Sequence, residues 1–135
     1  MKRILLIFAW LVCFAITAMA QAKYVFFFIG DGMGPNQVLA AEMYQAALKG
    51  EIGRVPLLMS QFPYSGQAAT FSASYGITDS AAAGTCLASG KKTNNGMIGQ
   101  TPDGELAISV ASQLKTEGWG VGIMSSVPVD HATPA

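Results

Sequence analysis

The sequence predicts an α/β fold, a largely parallel central sheet with helices on both faces, and two observations carry the prediction. Tyr24-Val25-Phe26-Phe27-Phe28-Ile29 is aromatic and β-branched without polar alternation, the pattern of a strand covered on both faces. It leads through a glycine turn into an amphipathic stretch. A second helical stretch at 105–117 precedes another buried-type strand at 119–124, so strand and helix alternate as they do where parallel sheets are built.

The first twenty residues stand apart from that pattern. Lys2 and Arg3, an apolar run at 4–16 and then Ala18-Met19-Ala20 form the three regions of a secretory signal peptide, with cleavage after Ala20 or, as second choice, after Ala22. The run is too short for a comfortable membrane span, so the expected product is exported, to the periplasm or the medium, with no stable span after cleavage. The organisation expected is a signal peptide at 1–20 and one α/β domain, or the N-terminal part of one, at 21–135. Of 135 residues, 51% are apolar and 12% charged, which excludes a disordered chain. Without Lys2 and Arg3, six basic residues face eight acidic ones, and this balance offers nothing to nucleic acid. Cys13 leaves with the signal. Cys86 then has no partner for a disulfide within the chain and reads as a packed side chain.

After the first strand, Gly30-Asp31-Gly32-Met33-Gly34-Pro35 places a carboxylate between glycines at a strand's carboxyl end, the edge where open α/β sheets bind ligands. Pro35 stands where a dinucleotide fingerprint needs its third glycine, and no Walker-type lysine motif occurs. A metal-binding aspartate and a plain turn aspartate both fit Asp31. Pro35 suits the first turn of a helix on which Val38, Leu39, Met43, Ala46 and Ala47 recur at helical spacing, ending at Lys49-Gly50. Residues 51–65 read as a loop carrying a short packed segment at 57–59, and 67–71 as a further short strand.

Thr78-Asp79-Ser80-Ala81-Ala82-Ala83-Gly84-Thr85 then opens a helix, capped by Thr78 or Asp79, that ends near Gly90. Ser80 lies at its mouth among small residues, where unpaired amides and the positive end of the helix dipole favour both a phosphate and a serine alkoxide. Ser80 is the candidate nucleophile, against the alternative that Asp79 and Ser80 only cap the helix. A polar connection follows with a turn at Asn95-Gly96, and Lys91 and Lys92 read as solvated charges. Leu106, Val110, Ala111 and Leu114 define the helix expected at 105–117, and Gly118 closes it. Past the strand at 119–124, Asp130, His131 and Thr133 gather on the edge expected to hold Asp31. Their oxygen and imidazole groups suit a hard or borderline cation.

Four segments in this order resemble alkaline phosphatase: Phe28-Ile29-Gly30-Asp31-Gly32-Met33-Gly34, Thr78 through Thr85 as quoted above, Lys92-Thr93-Asn94-Asn95-Gly96-Met97-Ile98-Gly99, and His131-Ala132-Thr133-Pro134-Ala135. The resemblance implies an alkaline phosphatase-like fold, small phosphomonoester substrates, two Zn2+ and one Mg2+, and a homodimer. It implies that Ser80 attacks phosphorus and is transiently phosphorylated, that Asp31 bridges a zinc and the magnesium, and that Thr133 is a magnesium ligand. It implies that His131 acts on the magnesium site directly or through water, and that Asp79 orients a phosphate-binding arginine and presents its backbone to the site. That arginine and the remaining zinc ligands would lie beyond Ala135, making this the N-terminal portion of a larger enzyme, inactive alone.

Two rivals stand beside this reading. A Ser-His-Asp esterase would use Ser80, His131 and Asp130 or Asp79, but Ser80 lacks the nucleophile elbow. An exported phosphate-binding module would hold the anion at the helix end without turnover.

Overall fold

The computed structural model describes residues 22–135, and the expected signal peptide therefore lies outside the described residues. The chain divides into two units, residues 1–30 and 31–135.

In the first unit, residues 24–29 run without strand pairing, and their apolar side chains are exposed. The second unit is organised by three helices. α1 spans Pro35–Leu48, α2 Ser80–Ser89 and α3 Val110–Thr116, with a 3-10 turn at Leu58–Gln61 between the first two. Each helix starts for a local chemical reason. Pro35 occupies the first turn of α1, where a missing N–H costs nothing, while the Gln37 side chain reaches back to accept from the Gly34 amide at 3.1 Å. Asp79 caps α2 and Ser109 caps α3, each accepting the amide three residues on, at 2.9 and 3.1 Å. α2 ends at Gly90, whose φ of 72° is the left-handed closure that glycine adopts without strain.

The predicted sheet is not present among the described residues. The stretches at 24–29, 67–71 and 119–124 form no strand, and an isolated antiparallel bridge joins Gln100 and Leu106 elsewhere in the chain. An apolar run favours an extended backbone by itself, but a strand exists only against a neighbour that takes its N–H and C=O groups. Among the described residues these runs make no ladder pairing, and Val121, Ile123 and Met124 stay exposed.

Two helix expectations also need correction. The last helix begins at Val110 instead of residue 105, because residues 99–107 fold back as a small hairpin. Thr101 donates to Glu105 and Ala107 to Gly99, both at 2.8 Å, so Ala107 is buried and Leu106 points outward. On α1 the buried residues are Glu42 and Ala46, one helical turn apart, while Leu39 and Met43 of the expected apolar face are exposed.

Glu42 acts as a pin. Its carboxylate accepts from the Leu57 amide at 3.1 Å and from Arg54 at 3.2 Å, and its backbone carbonyl accepts from the Val55 amide at 3.0 Å. The loop at 51–61 is thereby tied to α1. The Ser60 hydroxyl, then the Leu57 amide, with a smaller pull from Arg54, hold the Glu42 carboxyl below its ordinary value of 4.5.

Candidate active site

Three oxygen-bearing side chains, far apart in sequence, meet at one atom. Asp31 Oδ2 accepts a hydrogen bond from Ser80 Oγ at 2.9 Å and another from Thr133 Oγ1 at 3.0 Å. The second bond joins residues 102 positions apart. Asp31 is supplied by the glycine turn that precedes α1, Ser80 by the first position of α2, and Thr133 by a turn in which Ala135 donates to the His131 carbonyl at 3.0 Å.

Small residues make that meeting possible. A Cβ placed on Gly84 would lie 3.3 Å from the Ala132 carbonyl oxygen and 3.4 Å from that of Thr133. The terminal turn thus rests directly on the backbone of α2, one turn beyond Ser80. Gly84 is a site determinant that the sequence presents only as one more small residue in an alanine-rich helix.

The mouth of α2 is held from both sides. Asp79 Oδ1 accepts the Ala82 amide, and the Asp79 carbonyl accepts the Ala83 amide at 3.0 Å. Among the described residues the Ser80 and Ala81 amides have no hydrogen-bond acceptor, so the helix keeps two donors at its positive end. Asp79 Oδ2 accepts the Gly96 amide at 2.6 Å, tying the helix to the turn at Asn95-Gly96. Deeper in, Thr85 donates to the Met97 carbonyl at 3.3 Å and accepts from the Gly99 amide at 2.9 Å. These bonds fix the 91–99 connection along α2. The sequence marks the turn itself but not that it faces Asp79.

The Ser80 hydroxyl, followed by that of Thr133, holds the Asp31 carboxyl below its ordinary value of 3.8, and the charge of His131 adds a smaller pull. Asp31 is exposed and ionised at neutral pH. A carboxylate held below its ordinary range is a poor base toward a serine hydroxyl. Standing beside the open end of α2, it also repels a bare phosphate unless a cation lies between them.

His131 is exposed, with its amide bonded to the Pro128 carbonyl at 2.9 Å. Among the described residues neither Ser80 nor Asp130 hydrogen-bonds the His131 ring, so the esterase triad is not assembled. Lys92 departs from the solvated reading. Its ammonium donates to the Phe71 carbonyl and lies 3.6 Å from the centre of the Phe71 ring. Cys86 is half-buried and free.

The donors that converge suit part of a metal set. One carboxylate with hydroxyls is chemistry for magnesium, which takes oxygen ligands and retains water. Among the described residues no group of three or more His, Cys, Asp or Glu converges, so these residues do not complete a zinc site by themselves.

The family model for alkaline phosphatase matches residues 22–135. The chain belongs to the alkaline phosphatase family. It is 35% identical over 125 residues to the tissue-nonspecific alkaline phosphatase isozyme of Gallus gallus, an alignment covering 84% of this chain and 24% of the relative. To the alkaline phosphatase of Gadus morhua it is 31% identical over 126 residues, covering 85% and 26%. The crystal structure of a cold-active alkaline phosphatase from the psychrophile Shewanella sp. superposes with a TM-score of 0.70 at 31% identity, covering 78% of this chain and 27% of that one. The chain thus has the alkaline phosphatase-like fold over the superposed part and spans about a quarter of the length of the relatives it matches. Among the described residues no helix is long and apolar enough to cross a membrane.

Proposed function

We propose that this chain supplies the nucleophile and part of the metal-ligand set of an exported phosphomonoester hydrolase, and that it forms the N-terminal quarter of that enzyme. The observation carrying the proposal is the pair of hydroxyls, Ser80 Oγ and Thr133 Oγ1, on the single oxygen Asp31 Oδ2. Ser80 Oγ attacks phosphorus in line. Its O–P bond forms as the bond to the departing alkoxide breaks. The Ser80 hydroxyl proton passes to water and the alkoxide takes a proton up from water, while the free amides at the start of α2 face the charge that spreads over the phosphoryl oxygens. The product is a phosphoserine, which water then hydrolyses, returning the Ser80 hydroxyl and inorganic phosphate.

Asp31, Thr133 and Ser80, with His131 directly or through water, are the residues proposed to hold Mg2+ and a share of two Zn2+. When bound, such ions supply the Lewis acidity that lowers a hydroxyl pKa and neutralises a leaving oxygen. Asp79 keeps the helix mouth in shape. Export through the segment at 1–20, small phosphomonoesters as substrates and assembly as a homodimer belong to the same proposal.

The test is acid quenching of the full-length protein that carries this chain during turnover of p-nitrophenyl phosphate, followed by peptide mapping. Phosphate is expected on Ser80 and on no other serine, and Ser80→Ala is expected to lose both the adduct and the turnover. A phosphoserine that persists in Ser80→Ala, or turnover without any adduct, overturns the assignment. Binding of phosphate without release of p-nitrophenol would select the phosphate-binding module instead.

A further inference from the structure

We infer that Asn95 is a positioning residue for Ser80, acting through the backbone that leads into α2. Its side-chain amide holds two points of that backbone together. Asn95 Oδ1 accepts the Asp79 amide at 3.3 Å, and Asn95 Nδ2 donates to the Ile77 carbonyl at 3.1 Å. In extended backbone the C=O of one residue and the N–H two residues on point to the same side, and a parallel neighbouring strand bonds that pair of groups. The Asn95 side chain takes the place of such a neighbour for residues 77–79. A planar amide with one acceptor and one donor matches both groups at once.

The arrangement is reciprocal. Asp79 receives a bond from the turn through Gly96 N and gives one to it through its own amide, so cap and turn are joined by bonds running in both directions. The turn is anchored on its far side, where the Asn95 amide donates to Ser74 Oγ at 3.0 Å and the Ala73 amide to the Thr93 carbonyl at 2.8 Å. Thr93 is fully buried, which fixes the base of the turn. Asp79 holds an extended backbone, with φ −99° and ψ 176°, and its ψ sets the direction in which Ser80 leaves the cap. A displacement near 1 Å at a reacting group is enough to cost about 100-fold in rate. Among the described residues Asn95 hydrogen-bonds neither Asp31 nor Ser80, and its effect on the reaction passes through residues 77–79.

This inference rests on the proposed role of Ser80, and the test keeps the two separable. Asn95→Ala removes both side-chain bonds. Asn95→Asp keeps the shape but replaces the donor by an oxygen facing the Ile77 carbonyl. In the full-length protein both are expected to lower kcat for p-nitrophenyl phosphate about 10-fold or more with KM held within about a factor of two. Both should speed hydrogen exchange at the Asp79 amide. Glu42→Gln, which loosens the pin on α1 far from this turn, is the control for stability, expected to lower Tm and leave kcat unchanged. Unchanged kcat in both Asn95 variants, or a loss of kcat that follows Tm as it does across destabilised controls, overturns the inference. If either variant fails to fold, the other decides. Turnover that survives Ser80→Ala removes the proposed nucleophile, whereas protection of the Asp79 amide that survives in Asn95→Ala removes the latch alone.

Discussion

Asp31 and Glu42 are both held below the ordinary carboxylate range, and by different company. Glu42 is buried, and the Ser60 hydroxyl, a backbone amide and a guanidinium answer it, all from the loop it pins. Asp31 is exposed and receives only hydroxyls, on one oxygen, while its Oδ1 takes no hydrogen bond among the described residues. A fixed amide cannot be exchanged without moving the chain, so Glu42 is committed to the fold. Hydroxyls rotate, and an exposed carboxylate with a spare oxygen can turn toward a cation or give up a proton donor at little structural cost. Ionisation is common to both; freedom to change partners is what fits Asp31 to the chemical role proposed for it and Glu42 to a structural one.

Asp31→Asn strikes the chemical member and should have the largest effect. The amide can still accept from one hydroxyl but has lost the charge that a divalent cation needs. Turnover of p-nitrophenyl phosphate by the full-length protein is expected to fall by about 100- to 1000-fold. Metal content per chain should fall with it, and Tm little, because the residue is exposed. Retention of zinc and magnesium at the original level would break the contrast between the two acids.

A smaller loss is expected at Gly84, which lets the terminal turn reach Asp31. The Cβ of Gly84→Ala must press on the Ala132 and Thr133 carbonyls at 3.3 and 3.4 Å, against a gain in helix propensity of about 1 kcal/mol. Gly84→Val adds two further methyl groups and should push Thr133 off Asp31, lowering turnover by about 100-fold. Rates falling from glycine to alanine to valine would show that close approach sets the site. Equal rates in all three would show that the turn holds its place without α2.

How much of this the sequence discloses depends on the range of the force concerned. Helix ends are local, and the start of α2 at Ser80 and its close at Gly90 follow from Asp79, the alanines and the glycine. The approach of Asp31, Ser80 and Thr133 was legible because the residue types spelled a family motif; nothing in their spacing requires it. The sheet was not obtained, since a run such as 119–124 specifies an extended backbone but not the neighbour that would pair with it. The helix placed at 105–117 lost its first turn for a related reason: the hairpin bonds, in which the Ala107 amide donates to Gly99 and the Thr101 amide to Glu105, are long-range relative to a helical turn and outweigh propensity. Glu42 was hidden by its chemistry, because an acid inside an apolar spacing reads as a solvent-facing residue until its partners are known.

The finest distinction between the two acids lies in their response to acid. Glu42 has a folded-state pKa below 4.5, so its ionised form contributes stability that is complete above about that pH and is lost as pH falls through the native value. Glu42→Gln has no such proton to bind. At pH 7 the variant should therefore melt below the parent protein, and the gap in Tm should close as pH drops under 4.5, while kcat at neutral pH stays unchanged. Asp31→Asn should show its own, weaker closure at lower pH, because the window for Asp31 begins from 3.8 and its carboxylate is exposed to water. Melting curves of the three proteins between pH 7 and pH 3 compare the windows directly. A gap for Glu42→Gln that stays constant across that range would mean that the carboxylate holds the loop by shape alone, and the division between a structural and a chemical acid would then rest on Asp31 by itself.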